Sequence, residues 1–436
     1  MKKNYFLVAA ASMFLLSACS NDEDITKGLE ADATAQELVL QVASSGDGLV
    51  TRASRPLYSS AAGQEIDKVT IVITSTTDNT VKKVMSLDTW MTTSQSYETG
   101  GHGRQQTISF KGDEKLDAGT YKVFAVGYNT ATSKFTFSPA LPTDATGSFT
   151  ASAVTTTDKA EEIFAGEIAS IKVNDKKAFD ITLGSKGNVL TLHRQVAGAM
   201  GYFKNIPASV DGKDAATLRL VATGKNLKAK FENFNSSFTE KDKNVQFIVN
   251  GETPAGTKNA KFHNGADGSA YEVYSIALAD WFTAGGTTGK LDNDGNGILD
   301  NTDTWKNGIG GTYHGVQGSV FAGEFVIPFA LTTGNATMEL QLLDATGAII
   351  KYWGVSIPGT DVAKDKTAPE VNDESASIFN VVRNHMYNIG VKIENGTTDP
   401  DKPTTDIDDP EDLSKGQDII LKVNDNWEAL HQLVID

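Results

Sequence analysis

The sequence predicts a mainly β protein with two sandwich domains. Short apolar or alternating runs are separated by polar stretches rich in turn residues, and long segments with a 3.6-residue period are scarce. The 436 residues suffice for two hydrophobic cores, and a lone cysteine excludes an intramolecular disulfide. This spacing of runs and turns favours β-sandwiches over a parallel α/β sheet.

The individual strands follow from the position of each apolar run. Strands are predicted over residues 38–42, 69–74, 107–110, 121–126, 189–192, 218–222, 245–249, 325–327, 338–342 and 387–393, with a weaker signal over 225–231. Short helices are predicted near 158–164 and 275–282.

The N-terminus predicts export. Lys2 and Lys3 precede an apolar run over residues 5–16, which is too short to span a bilayer and is typical of a signal peptide. The run ends in Leu-Ser-Ala-Cys, a quartet that resembles a bacterial lipobox, so Cys19 is the predicted lipidation site. The alternative is a chance cysteine beside a conventional cleavage site. Acyl chains on Cys19 would anchor the chain to a membrane without spanning it.

The charge of the chain argues against nucleic-acid binding. The formal net charge is −16, and removal of Lys2 and Lys3 with the signal peptide gives −16 − 2 = −18. Such a charge repels phosphate backbones, so no nucleic-acid partner is expected.

The C-terminal end predicts a detachable strand. Residues 394–416 are rich in Asp, Pro, Thr and Gly and predict a linker. Ile419, Leu421 and Val423 then alternate with polar residues, and Trp427 follows. An extended apolar segment on a tether is suited to adding a strand to a sheet edge, either on its own body or on a neighbouring molecule.

One loop has the spacing of a calcium site. Oxygen ligands occur at positions 1, 3, 5, 9 and 12 of residues 292–303, with Gly297 at the turn and a backbone carbonyl from the residue after it. Position 12 is Asp where EF-hands carry Glu, and strong flanking helices are missing; a polar surface loop is the alternative. The predicted ligands are Asp292, Asp294, Asn296, Ile298, Asp300 and Asp303.

No pattern of residues predicts catalysis. The six histidines show no metal-ligand spacing, and no Gly-x-Ser-x-Gly elbow occurs. The chain is therefore not expected to be an enzyme, and Ca²⁺ is the only cofactor that the sequence suggests.

Several short sequence motifs occur in a fixed order along the chain. They lie at residues 116–123, 162–166, 192–197 and 383–389, and in the tail that contains Trp427. In this order they resemble the fimbrillins of Bacteroidetes, the major and minor fimbrial subunits and their accessory proteins. The acidic residues after Cys19 also resemble the patch that directs lipoproteins of these bacteria to the cell surface. An insertion over 285–315 departs from the family pattern.

The resemblance implies two transthyretin-like β-sandwich domains and assembly by strand exchange. In the fimbrillins, a lipidated precursor is exported, an arginine-specific protease removes an N-terminal strand, and the vacated groove accepts a strand from another subunit. Arg52, in a polar connector, is the predicted processing site, because Arg55 precedes Pro56, whose ring hinders such proteases. The predicted donor strand contains Ile419, Leu421, Val423 and Trp427.

The predicted organisation has five parts. They are the signal peptide (1–18), a tether with the removable strand and processing site (19–58), an N-terminal sandwich (59–188), a C-terminal sandwich (189–395) with an insertion (284–316), and an acidic linker with the donor segment (396–436).

Three functions remain open from the sequence, and the third is a hydrolase on a β-sandwich, which clustered carboxylates in a groove would favour. The first is a structural subunit of a fimbria at the outer membrane, with other fimbrial subunits and an arginine-specific protease as partners. The alternative is an adhesive or glycan-binding outer-membrane lipoprotein with a self-paired tail, for which an aromatic surface with Trp281, Trp305 or Trp353 would argue.

Overall fold

The computed structural model describes a large part of the chain. The described residues are 36–42, 66–96, 104–130, 135–156, 160–180, 187–231, 251–252, 258–286, 289–306, 316–329, 338–356, 381, 383, 386–390, 410–415, 419–420 and 422–424. No helix among them is long and apolar enough to cross a membrane.

The described elements are almost all strands, which confirms the mainly β prediction. Helix is restricted to α1 (Trp90–Thr93), α2 (Leu278–Trp281) and a 3-10 turn over Gly112–Glu114. The strands are β1 (Gln36–Val42), β2 (Lys68–Ser75), β3 (Val81–Leu87), β4 (Gln95–Ser96), β5 (Arg104–Phe110), β6 (Gly119–Tyr128), β7 (Phe135–Ser138), β8 (Ala153–Thr156), β9 (Ile163–Val173), β10 (Val189–Arg194), β11 (Ala197–Lys204), β12 (Ile206–Pro207), β13 (Ser209–Val210), β14 (Lys213–Ala222), β15 (Lys228–Lys230), β16 (Gly251–Glu252), β17 (Tyr271–Ala277), β18 (Ile298–Leu299), β19 (Val320–Val326), β20 (Met338–Asp344), β21 (Ile349–Ser356), β22 (Met386–Ile389), β23 (Glu411–Asp412), β24 (Ile419–Ile420) and β25 (Lys422–Asn424).

The first part of the chain forms one eight-stranded sheet that folds over its own core. Its order is β3-β2-β6-β9-β10-β1-β5-β4. The joint between β9 and β10 consists of two residue pairs only, His193 with Ala165 and Arg194 with Phe164. Apolar side chains from β1, β5 and β10 share a buried cluster with those from β2, β6 and β9. The two halves of the sheet therefore face each other as the layers of a sandwich.

The second part of the chain contributes several smaller sheets. β13, β14, β20, β21 and β24 form one sheet, which β17 joins through β14, and β19, β11, β22 and β25 form another, which β23 joins through β11. β16, β15, β8 and β7 form a third sheet, and β12 pairs with β18. One buried cluster runs through these sheets and reaches Val72, Phe124 and Val126 on the outer face of the first sandwich.

Most predicted strands lie within observed ones. Those at 38–42, 69–74, 107–110, 121–126, 189–192, 218–222 and 338–342 do so completely, and the one at 245–249 lies outside the described residues. The predicted helix at 158–164 is wrong, because β9 begins at Ile163 and pairs with β6 and β10. The helix predicted over 275–282 is a single turn after a strand.

Two pairings cross the predicted domain boundaries, and the domain division stays a prediction. β10, which begins at the predicted start of the second sandwich, pairs with β9 and β1 of the eight-stranded sheet. The predicted acidic linker includes β23, which pairs with β11, and Leu413, which is buried. Local composition gave no sign of these pairings, because both are long-range contacts. The transthyretin-like detail of the two sandwiches stays a prediction.

Candidate functional site

The N-terminal strand β1 lies in the interior of the eight-stranded sheet. It pairs antiparallel with β5 along its full length, from Gln36 opposite Phe110 to Val42 opposite Arg104. On its other side it runs parallel to β10, with Val39 opposite Val189. We refer to the space between β5 and β10 that β1 occupies as the β1 slot. A strand with a partner on each side leaves two unpaired edges when it is removed.

The side chains of β1 alternate between the core and the surface. Leu38 and Leu40 have no exposed surface and belong to the core of the first sandwich, whereas Glu37, Val39 and Gln41 are half-buried. Fully burying one leucine side chain contributes about 1.5–3 kcal/mol. This alternation was the basis of the strand prediction, and the structure agrees with it.

The first residue of β1 is a buried polar anchor that sequence reasoning missed. The Gln36 side chain donates from Nε2 to the carbonyls of Leu116 (2.8 Å) and Lys177 (2.9 Å). Its Oε1 accepts from the Leu116 N–H at 2.8 Å. Gln36 has no exposed surface. A carboxamide satisfies this pocket because it both donates and accepts, and the only sequence signal was a polar residue in phase with the buried leucines.

Polar contacts also hold β1 on the solvent side. Ser109 Oγ donates to the Glu37 carboxylate at 3.1 Å, and Gln41 Nε2 donates to Gln105 Oε1 at 3.2 Å. At the β10 side, the Asn188 side chain donates to the Glu37 carbonyl at 3.0 Å. The two edges of the slot thus contact β1 through side chains as well as through the backbone ladder.

A buried ion pair fixes the end of β10, one wall of the slot. Arg194 has no exposed surface, and its Nε and Nη2 donate to Glu162 Oε1 at 3.0 and 2.7 Å. Its guanidinium carbon lies 4.8 Å from the centre of the Phe164 ring. Glu162 and Arg194 belong to two of the sequence motifs that carry the family resemblance, and the fold brings these two motifs into contact.

The C-terminal segment pairs with its own chain. Ile419 and Ile420 of β24 run parallel to Val355 and Ser356 of β21. Residues of β25 pair antiparallel with β22, including Val423 opposite Tyr387. Ile419 is buried in the core of the second part of the chain.

Several predicted site residues lie outside the described residues. They are Cys19, Arg52, Leu421 and Trp427. Lipidation, processing and strand donation therefore stay predictions.

The predicted calcium loop brings three carboxylates together. Asp292, Asp294 and Asp303 each place one oxygen within 4.8 Å of the others. Backbone N–H groups orient them: Gly297 donates to Asp292 at 2.9 Å, and Asn293 donates to Asp303 at 2.6 Å.

The other predicted ligands are engaged in turns of the same loop. The Thr302 N–H donates to Asp300 Oδ1 at 2.8 Å, and the Ile298 N–H donates to Asn296 Oδ1 at 2.8 Å. Three close carboxylates suit a hard cation such as Ca²⁺, and calcium binding by this loop stays a prediction.

Burial and like charge both shift the pKa of the last acid of this loop. Burial raises the pKa of Asp303 above its ordinary value, and the nearby Asp292 and Asp294 carboxylates raise it further, against hydrogen bonds from two backbone N–H groups. The exposed Asp294 has a lowered pKa because the Thr302 hydroxyl donates to it at 2.8 Å. A cation between these carboxylates would relieve the repulsion.

The tryptophans named for a glycan surface are not exposed. Trp281 and Trp353 are buried, and Trp305 is half-buried and donates from Nε1 to the Ser319 carbonyl at 2.7 Å. Trp281 and Trp305 pack with ring centres 6.4 Å apart. These side chains therefore belong to the core and offer no platform for a sugar ring.

Comparisons with known proteins find similarity among solved structures only. No family model and no curated protein sequence matches the chain. A candidate adhesin from Bacteroides ovatus has 12% identity and a TM-score of 0.36, over 82% of this chain and 89% of that one.

Two fimbrial proteins are similar to a comparable degree. A fimbrial assembly protein from Parabacteroides distasonis has 12% identity and a TM-score of 0.31, over 82% and 92% of the two chains. A fimbrial anchor protein from Porphyromonas gingivalis has 8% identity and a TM-score of 0.32, over 81% and 90%. The solved structures that resemble this chain thus include Bacteroidetes fimbrial and adhesin proteins.

Proposed function

We propose that the chain is a structural subunit of a cell-surface fimbria that polymerises by donor-strand exchange. In this proposal the chain is exported as a precursor lipidated at Cys19 and reaches the outer membrane. An arginine-specific protease then cuts after Arg52, and β1 is replaced by the C-terminal segment of another subunit, which contains Ile419, Leu421 and Val423. Other fimbrial subunits are the principal partners.

The position of β1 is the observation that carries the proposal. β1 lies between β5 and β10 and presents Leu38 and Leu40 to the core, so its loss opens an apolar groove with two unpaired backbone edges. An incoming strand restores the hydrogen-bond ladder and refills the pockets of the two leucines. Affinity for the incoming strand then comes from completing the fold.

Cleavage at Arg52 would make this exchange possible. Arg52 follows β1 in the sequence, so a cut there leaves β1 held by non-covalent contacts alone. While it is covalently attached, β1 competes at a high effective concentration that no separate strand can match. Proteolysis removes this advantage, so the C-terminal segment of another subunit can then replace β1.

Protease treatment of the non-lipidated precursor tests the proposal. We expect an arginine-specific protease to give a new N-terminus at Ala53, followed by SDS-resistant ladders and fibres. Arg52→Lys retains the charge but removes the cleavage site, so this variant should stay monomeric, whereas Arg55→Lys should assemble normally. A clean cut at Arg52 that yields only monomers would contradict the proposal.

The second candidate function is an adhesive outer-membrane lipoprotein that does not polymerise. The pairing of the C-terminal segment with β21 and β22 is the arrangement that this candidate requires. A precursor before assembly can hold its tail in the same way, so the protease experiment separates the two functions. Monomers after cleavage would favour the adhesive candidate.

A further inference from the structure

The C-terminal segment repeats the sequence of β1. Residues 417–423 read Gln-Asp-Ile-Ile-Leu-Lys-Val, and β1 reads Gln-Glu-Leu-Val-Leu-Gln-Val. The first, fifth and seventh positions are identical. The second position keeps a carboxylate, the third and fourth keep branched aliphatic side chains, and the sixth keeps a long polar one. The correspondence covers the whole of β1 without a gap.

The β1 slot makes different demands at successive positions, and the tail meets them. Positions 36, 38 and 40 are fully buried and hold Gln, Leu and Leu. In the same order the tail supplies Gln417, Ile419 and Leu421. A change from Leu to Ile conserves volume and is well tolerated in a core. At the half-buried positions the tail supplies Asp, Ile and Lys, and Asp418 retains the carboxylate to which Ser109 donates at 3.1 Å in β1.

The buried glutamine fixes the register of the correspondence. A slip of one residue turns the apolar face of the tail towards solvent. A slip of two residues places Ile419 or Lys415 at the Gln36 position, where the Leu116 N–H and two backbone carbonyls need a carboxamide. Buried polar groups left without such a partner are costly. Only one register therefore satisfies both the apolar pockets and the anchor.

We infer that residues 417–423 of a second copy of this chain fill the β1 slot in the direction and register of β1, with Gln417 in the place of Gln36. The inference rests on the proposed function, since β1 must leave first. It adds a specificity determinant: the slot selects a strand with a carboxamide followed by branched aliphatic residues two and four positions later. The copy's own tail meets this requirement, so the subunit is suited to form a homopolymer.

A graft tests the match between tail and slot without cleavage or assembly. The full-length, non-lipidated chain with Glu37→Asp, Leu38→Ile, Val39→Ile and Gln41→Lys carries the tail sequence in β1. We expect its Tm to stay within about 3 °C of the wild type. The control places residues 418–424 at positions 36–42, one residue out of register, and should lower Tm by more than about 10 °C. Equal losses in the two grafts would overturn the inference.

A cross-link tests the register in the assembled state. Val39 lies opposite Thr107, so Ile420 of a second copy should lie there too. A non-lipidated precursor that lacks Cys19 and carries Thr107→Cys with Ile420→Cys should form disulfide-linked ladders after the arginine-specific protease has cut it. The control pairs Ile420→Cys with Gln105→Cys, two residues along β5, and should form none.

The outcomes separate the register from the proposed function. If fibres form but cross-link through the Gln105→Cys pair, or through neither cysteine pair, the proposed register is wrong, although strand exchange itself is still supported. A disulfide within a monomer shows that the tail enters its own slot and overturns the second copy as the occupant. No assembly of the processed chain, together with a stable graft, overturns both the occupant and the proposed function.

The anchor itself is tested by a substitution in the tail. Gln417→Leu removes the carboxamide, and we expect assembly of the processed chain to slow by about tenfold or more because buried polar groups of the slot lose their partner. The Tm of the unprocessed chain should not change, since its slot holds Gln36. Lys422→Gln makes the tail more similar to β1 and should assemble at the wild-type rate. Normal assembly of Gln417→Leu would remove Gln417 as the anchor.

Discussion

The two ends of this chain join the folded body in opposite ways. β1 has partners on both sides, and three of its side chains have no exposed surface. The C-terminal segment pairs through two residues with β21 and through three with β22. The strand proposed to leave is thus the more firmly held one, and the proposed donor is held through short pairings. Exchange therefore requires a covalent cut to weaken β1 and a matching strand to replace it.

The largest expected effect comes from the wall of the β1 slot. Arg194→Met removes the two guanidinium hydrogen bonds that the buried Glu162 carboxylate accepts from Arg194, and we expect a loss of about 3–5 kcal/mol in the free energy of unfolding. Chemical denaturation measures this loss. The double variant Arg194→Met, Glu162→Gln should recover much of it. A small loss in the single variant would mean that β10 holds its position without the pair.

The next effect concerns β1 itself. Leu40→Ala removes a fully buried side chain from the core of the first sandwich, and we expect a loss of about 2–5 kcal/mol in unfolding free energy. Gln41→Ala, at the neighbouring half-buried position, is the control and should lower the unfolding free energy by less than about 1 kcal/mol. If both variants lose the same unfolding free energy, burial of Leu40 does not hold β1 in the sheet, and β1 is then no more firmly held than the C-terminal segment.

A smaller effect is expected at the C-terminal segment. Ile419→Ala also truncates a buried side chain, but the segment can detach locally while the body stays folded, which limits the loss to the free energy of docking the tail. We expect global stability to fall by about 1 kcal/mol, less than for Leu40→Ala. Hydrogen exchange should show faster exchange confined to β21 and β22. A global loss as large as that of Leu40→Ala would contradict the contrast.

The smallest effect is the pH dependence of stability that the aspartate loop contributes, and this effect should involve neither chain end. Because the pKa of Asp303 is raised in the folded state, that state binds the proton more readily, so stability falls as pH rises from about 4 through the raised pKa. Asp303→Asn should remove this slope in Tm.

Calcium gives the same loop a second readout. If the loop binds Ca²⁺, calcium at 100 to 1,000 times Kd adds about 2.7–4.1 kcal/mol to the unfolding free energy, and Asp303→Asn should lose that gain. Asp211→Asn is the charge-matched control, because Asp211 has a φ of 51° that Asn also tolerates. Equal Tm with and without calcium in the wild type would show that the loop is a surface turn.

The strands were predictable because their signal is local. Alternation of apolar and polar residues identified the segment around Leu38 and Leu40, and the structure confirms it as a strand. The helix predicted at 158–164 failed because its last two residues, Ile163 and Phe164, belong to β9 and pair with β6 and β10, and such long-range pairing overrides local preference. The position of β10 could not be predicted for the same reason.

By itself, the sequence determined the mainly β class, the order of the strands and the repetition of β1 in the tail, because side-chain alternation and residue identity are local properties. Only the tertiary structure decided that β1 lies in the interior of its sheet, that Gln36 is buried against Leu116 and Lys177, and that Arg194 meets Glu162. These facts depend on contacts between residues far apart in the chain, and burial turns ordinary polar residues into determinants of stability and register.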